Sequence, residues 1–267
     1  MRPGVAMNTR LPICLAAFAF VLFSGAAQAE LAEVPLTGRW ENLAFTPAEV
    51  HRISRDRYRE TIADYAAHHR LEDSSSIGRR VAAISARLIA EAGTIKPAAR
   101  HWAWEVHTTS DPQVDAYCMA GGKLLVSSAF VKRLNLNDGE LAMLIAHEIA
   151  HAVAEHHREE LFEARRLDGR PGLTAEVVMA QLDADLSMQL RLESLSNRQE
   201  TEADQLGMFM ANRAGWSSRD MVGFYRKLAL TAGGSLFADA YPSMASRLSM
   251  AQGMARLFDT GARAGGG

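Results

Sequence analysis

Apolar residues recur at helical spacing along most of the chain, and one stretch alternates instead. From Ala48 to about Ala92 the pattern is that of two helices, parted by the polar run Glu72-Asp73-Ser74-Ser75-Ser76. Ile77, Val81, Ile84, Leu88 and Ile89 form the buried stripe of the second. Between His101 and Ser128 the period falls to two, through Trp102, Trp104, Val106 and Thr108, until Asp111-Pro112 ends the strand. Val114 to Met119 and Lys123 to Ser127 flank Gly121-Gly122, a tight-hairpin signature. The two tryptophans read as core packing. Ahead of these elements, residues 30 to 46 carry Pro35 and Gly38 and little periodicity, so an extended arm is expected.

The most apolar helix is expected from Asn137 to His157. Asn137 and Glu140 form a capping box, and Leu141, Leu144, Ile145, Ile149, Ala152 and Val153 recur at helical spacing. The charged run Arg158 to Arg166 should continue it until Asp168-Gly169 and Pro171-Gly172 stop it. Thr174 opens a helix to about Glu193, whose many apolar positions suit a lid or a partner surface. Ser196 with Gln199 forms another capping box, opening a helix to about Arg213. The fold class is therefore α+β, predominantly helical, with a small antiparallel sheet before the apolar helix.

Composition adds bounds. With 267 residues, 48% of them hydrophobic, the chain suits one large or two small domains. Lys+Arg at 29 against Asp+Glu at 31 leaves a formal net charge of -2, which gives no nucleic-acid footprint. Arg2 and Arg10 precede an apolar run from Leu11 to Phe23, followed by Ala27-Gln28-Ala29, the pattern of a secretory signal peptide cleaved after Ala29. An uncleaved membrane anchor is the alternative for the same run, although it is short of the roughly 20 residues that a span needs. No later run is long enough to cross a membrane, so the mature chain is expected to lack a transmembrane segment. Cys14 falls within the signal, which leaves Cys118 alone and no internal disulfide to form. No 34-residue helical repeat is found. The final residues, GARAGGG, read as a flexible tail.

Candidate chemistry centres on His147, Glu148 and His151. Two histidines four apart project from one helix face, separated by roughly 6 Å of rise, and can grip one metal ion. Glu148 lies beside that face, where it can accept a proton without being a ligand. That is the content of H-E-x-x-H, and such groups on the apolar side of a core helix are costly without a partner. A catalytic zinc usually has a third protein ligand. His157 has the required spacing, but if the helix continues through Ala154 it stands about 15 Å along the axis from His147, out of reach. Glu200 and Asp204, four apart, face one way on the helix after Ser196, whereas Glu202 points elsewhere. Glu200 as ligand, with Asp204 holding a ligand imidazole, would complete the site; a solvated acidic face explains the same spacing equally well. His51, His68 and His69 read as surface residues.

HEIAH followed by NRQETEADQLG resembles the HtpX/BepA-like gluzincins of metallopeptidase family forty-eight. The resemblance covers roughly residues 100 to 258 and includes VDAYCMAGGKLLVSSAF, His156, AGW and YPSMASRL. It implies a zincin-like domain with two metal-binding helices, in which His147, His151 and Glu200 bind one Zn2+, Glu148 is the general base and Asp204 supports a ligand. It also implies an edge strand near Asp115, Ala116 and Tyr117 that takes an extended peptide in β-fashion. Departures are Asp115 for the usual Asn, Ala120 for Pro, and Tyr241-Pro242 for His-Pro. Tyr241 would then either donate to a developing oxyanion or pack beside Pro242, and Arg247 would steady the acidic residues or bind substrate carbonyls. The expected division is a signal peptide at 1–29, arm and helices at 30–99, the catalytic domain at 100–260 and a tail at 261–267. The expected function is an exported, periplasmic zinc endopeptidase acting on unfolded or extended polypeptides, in quality control of the bacterial envelope, free or membrane-associated. An envelope-protein partner would use residues 174–193. The alternative is a non-proteolytic zinc protein of the chaperone or assembly-factor kind.

Overall fold

The computed structural model describes residues 30–231 and 243–264. The expected signal peptide and Tyr241 lie outside these residues. Strands β1 (Glu30–Glu33) and β2 (Trp40–Leu43) pair antiparallel, from Glu30 opposite Leu43 to Glu33 opposite Trp40, so the arm folds back as a hairpin. Helix α1 (Pro47–Ala67) starts at a Thr46–Glu49 capping box with proline in its first turn, and α2 (Ser76–Ile95) at the Ser75 side chain. A 3-10 turn, Pro97–His101, follows.

Trp102 and Trp104 precede the next strand instead of belonging to it. Their rings pack 5.4 Å apart, and Trp104 Nε1 donates to the Ala99 carbonyl at 2.8 Å. Strands β3 (Glu105–Thr109), β4 (Ala116–Met119) and β5 (Lys123–Ser127) form a sheet in the order β3-β5-β4. The expected hairpin is β4 and β5, antiparallel; β3 joins the other side of β5 in parallel, which makes this sheet mixed. The hairpin loop needs Gly122 twice over. Its φ is 81°, and a Cβ there would meet the Trp104 ring at 2.4 Å.

After α3 (Ser128–Arg133) comes α4 (Asp138–Val153), opened by the Asn137–Glu140 box, with backbone bonds of 2.8 Å in both directions. Nearly every α4 side chain is buried, because α2, α8, α9 and β4 all pack around it. The helix does not run on to His157 and beyond. Ala154 caps it, and Glu155 takes a left-handed φ of 57° before α5 (His156–Asp168) begins. That conformation costs an L-residue roughly 1–2 kcal/mol. The Glu155 carboxylate offsets this by pairing with Lys96 at 2.7 Å and Arg158 at 2.8 Å.

Helix α5 stops at Gly169, as its sequence suggests. The single helix expected over 174–193 is two, α6 (Ala175–Ala184) and α7 (Leu186–Arg191), because Asp185 is extended and its side chain accepts from Met188 N. Val178, Met179 and Met188 pack into a second core with Phe45 and Leu161, while Val177, Leu186 and Leu190 are exposed. Helix α8 (Glu193–Arg213) starts three residues before Ser196 and has no side-chain cap. Gln199 does not reach back to form a box. It is buried and donates to the His156 carbonyl at 3.2 Å and to Glu159 at 2.9 Å. Helices α9 (Ser218–Thr231) and α10 (Met244–Ala264) complete the main core, so residues 261–264 of the expected tail are helical. Among the described residues, no helix is long and apolar enough to cross a membrane.

Candidate metal centre

Crossing of α4 and α8 brings His147, His151 and Glu200 together. His147 Nε2 lies 3.2 Å from His151 Nε2, and the Glu200 oxygens lie 3.4 Å from each of these nitrogens. Ligand atoms at tetrahedral corners, about 2.0–2.1 Å from a zinc ion, stand about 3.3 Å apart, so the triangle has the size of one face of such a site.

The tautomers point the same way. His147 Nδ1 lies 2.9 Å from Asp204 Oδ1. The acceptor-only carboxylate at that distance favours the proton on Nδ1 and a lone pair on Nε2, although the approach is too bent for a regular hydrogen bond. His151 Nδ1 lies 2.9 Å from His156 Nδ1, and His156 Nε2 lies 3.3 Å from Glu202 Oε2. Glu202 holds the His156 proton on Nε2; His156 Nδ1 then accepts from His151 Nδ1, and His151 Nε2 is also bare. Two lone pairs therefore face a carboxylate with no donor among them. Such a trio could hold a metal ion, and the donor set suits zinc. Burial opposes charge on His147, but Glu200 and Asp204 raise its imidazole to about 10. Burial likewise opposes ionisation of Glu200, yet the two imidazoles hold it well below the usual carboxylate range.

Further groups lie behind the three side chains of the triangle. Asp204, fully buried, accepts from Arg247 at 2.6 and 2.7 Å and from the Tyr225 hydroxyl at 2.8 Å. Arg247 Nη1 also lies 3.3 Å from Glu200. Glu148 is half-buried next to His147. Burial raises its pKa above the usual carboxylate range, while the His147 and His151 imidazoles draw it back.

Other expected residues fall elsewhere. Asp115 is exposed and pairs with Arg133 at 2.8 Å; Ala116 and Tyr117 are half-buried in β4, at the sheet edge beside α4. His157 stands apart from the triangle, half-buried, with Nδ1 unpartnered, although the chain breaks before it instead of carrying it along α4. His51 is no solvated surface residue: it packs edge-on against Trp102 at 5.2 Å. His68 and His69 are exposed. Sequence reasoning did not assign Tyr225, or the link from His151 through His156 to Glu202. Glu202 does point away from the triangle, and the two-residue offset from Glu200 is the signal that it faces another partner.

A sequence model of peptidase family M48 matches residues 75–255. The chain is 27% identical over 209 residues to the mitochondrial metalloendopeptidase OMA1 of Schizosaccharomyces pombe, covering 74% of this chain and 58% of that protein. It is 25% identical over 155 residues to the β-barrel assembly-enhancing protease of Yersinia pestis, covering 54% of this chain and 31% of the relative. It is 28% identical over 154 residues to metalloprotease YcaL of Escherichia coli, covering 54% of this chain and 58% of the relative. The match thus spans 58% or less of the length of each of these relatives.

Proposed function

The chain belongs to peptidase family M48, and on that premise we propose that it is an exported zinc-dependent endopeptidase acting on unfolded or unassembled envelope polypeptides. The observation that carries the reading is the donor-free triangle of His147, His151 and Glu200, with Glu148 adjoining it on α4. Export is supported by the apolar run from Leu11 to Phe23 behind Arg2 and Arg10.

When bound by His147, His151 and Glu200, a zinc ion supplies Lewis acidity toward the scissile carbonyl and toward water. Glu148 takes the proton from the attacking water as the new C–O bond forms, and delivers it to the leaving amine as the C–N bond breaks. Asp204, clamped by Arg247 and Tyr225, keeps His147 in the tautomer that offers Nε2. The edge of β4 receives the substrate main chain as an added strand, which selects extended polypeptide over folded protein. The test is hydrolysis of a permanently unfolded protein. Wild-type chain should cleave it, lose activity to a chelator and regain it with zinc, while Glu148→Gln should keep zinc and cleave nothing. Cleavage that survives Glu148→Gln rules out this role for Glu148. Zinc binding without any wild-type cleavage identifies the assembly-factor alternative.

A further inference from the structure

The N-terminal hairpin reaches the metal site through one side chain. Arg39, in the turn just before β2, extends its guanidinium to Glu202 on α8. Its Nη2 donates to Glu202 Oε2 at 2.7 Å and its Nε donates to Oε1. The same fork donates to Glu159 of α5 at 2.6 and 3.1 Å and to Glu41 of β2 at 3.1 Å. These three carboxylates are only 3–7% exposed and meet around this guanidinium, with Arg198 a second cation 3.3 Å from Glu159. Without Arg39 they would repel one another in a medium of low dielectric.

Resting on the zinc reading above, we infer that Arg39 is a positioning residue of the metal centre, acting through Glu202 and His156 on the ligand His151. Arg39 fixes both oxygens of Glu202, Glu202 Oε2 lies 3.3 Å from His156 Nε2, and His156 Nδ1 lies 2.9 Å from His151 Nδ1. A two-pronged guanidinium holds the plane of a carboxylate as well as its place, which a lysine cannot do. If Glu202 rotates away, the proton on His156 is no longer held at Nε2. It can then move to Nδ1, oppose the His151 Nδ1 proton, and turn the ligand ring out of the triangle. Arg39 precedes residues 75–255, the part matched by the family model, so the hairpin contributes to the centre from outside that span.

Zinc affinity, measured by competition with a chromophoric chelator on the full chain, tests this. Groups that orient a metal-bound histidine are typically worth about 10–100-fold in affinity, so Arg39→Ala should weaken zinc by about tenfold or more, and Arg39→Lys by less. Glu202→Gln should weaken it comparably, and adding Arg39→Ala to Glu202→Gln should cost nothing further, since both act along one path. Trp40→Ser, which alters an exposed neighbour in the same hairpin, should leave affinity unchanged. Wild-type affinity in Arg39→Ala, multiplying effects in the double variant, or an equal loss in Trp40→Ser would each overturn the inference. Should Arg39→Ala not fold, an unchanged affinity in Arg39→Lys would overturn it equally. Absence of zinc binding by wild-type chain would instead refute the metal reading beneath it.

Discussion

Gly207→Ala probes how closely the helices that carry His147, His151 and Glu200 must pack. Gly207 lies three residues after Asp204 and seven after Glu200, on the face of α8 that meets α4. A Cβ added there would stand 2.9 Å from the His147 backbone nitrogen, 3.0 Å from its Cα and 3.1 Å from the Ala146 carbonyl carbon. Ordinary Cβ contacts begin near 3.4 Å, so the obstacle is backbone and the helices must part by about 0.5 Å. Overpacking of this kind costs about 1–3 kcal/mol, or about 2–12 °C in melting temperature for a chain of this size. The same movement widens the 3.4 Å separation between His147 and Glu200, and metal sites tolerate only about 0.2 Å of bond-length error. Thermal unfolding of the metal-free protein should show the first effect. Chelator competition should show the second, as a loss of about tenfold or more in zinc affinity. A Gly207→Ala chain with wild-type melting temperature and zinc affinity would show that α4 and α8 do not depend on this close approach.

Asp204→Asn keeps the shape of the side chain but removes the charge facing Arg247, itself buried. Breaking a buried ion pair from one side typically costs about 3–5 kcal/mol, so urea unfolding should show a large destabilisation together with weaker zinc binding; near-wild-type values for both would contradict the clamp. Burial holds the His157 imidazole down at about 4, with His151 and His156 adding to the effect. The unfolded chain, with an ordinary histidine near 6.5, therefore takes up the proton first, and this contribution to stability is lost as pH falls from about 6.5 toward 4. Between pH 7 and pH 5 the metal-free wild type should lose about 2 kcal/mol more stability than His157→Gln, and parallel profiles would contradict the unpartnered setting of this half-buried ring.

Legibility of the fold from the sequence divides by how local each cause is. The α4 cap was readable because Asn137 and Glu140 act within one turn, and the motif placed both histidines on one face for the same reason. Glu200 and Asp204 could be paired by their four-residue spacing, but a solvated acidic face has the same spacing. The approach of α8 to α4, which no local spacing announces, sets Glu200 beside the two imidazoles. The break at Glu155 was illegible: Ala154 favours helix, and the left-handed residue is held by Lys96 from a distant part of the chain. The parallel pairing of β3 with β5 was equally hidden, since alternation marks a strand without naming its neighbour. Gly207 was visible as a letter in a motif, and its reason appears only where the His147 backbone passes it. Arg39 has no signal at all, because an arginine in an aperiodic arm looks like any solvated charge.

The most direct measurement of the two-helix centre is zinc content by elemental analysis, comparing wild-type chain with Glu200→Ala after the same passage over a desalting column. One zinc per wild-type chain and well below one in a folded Glu200→Ala chain is the expected result. A full complement of zinc in both, or none in the wild type, would contradict a metal site shared between α4 and α8.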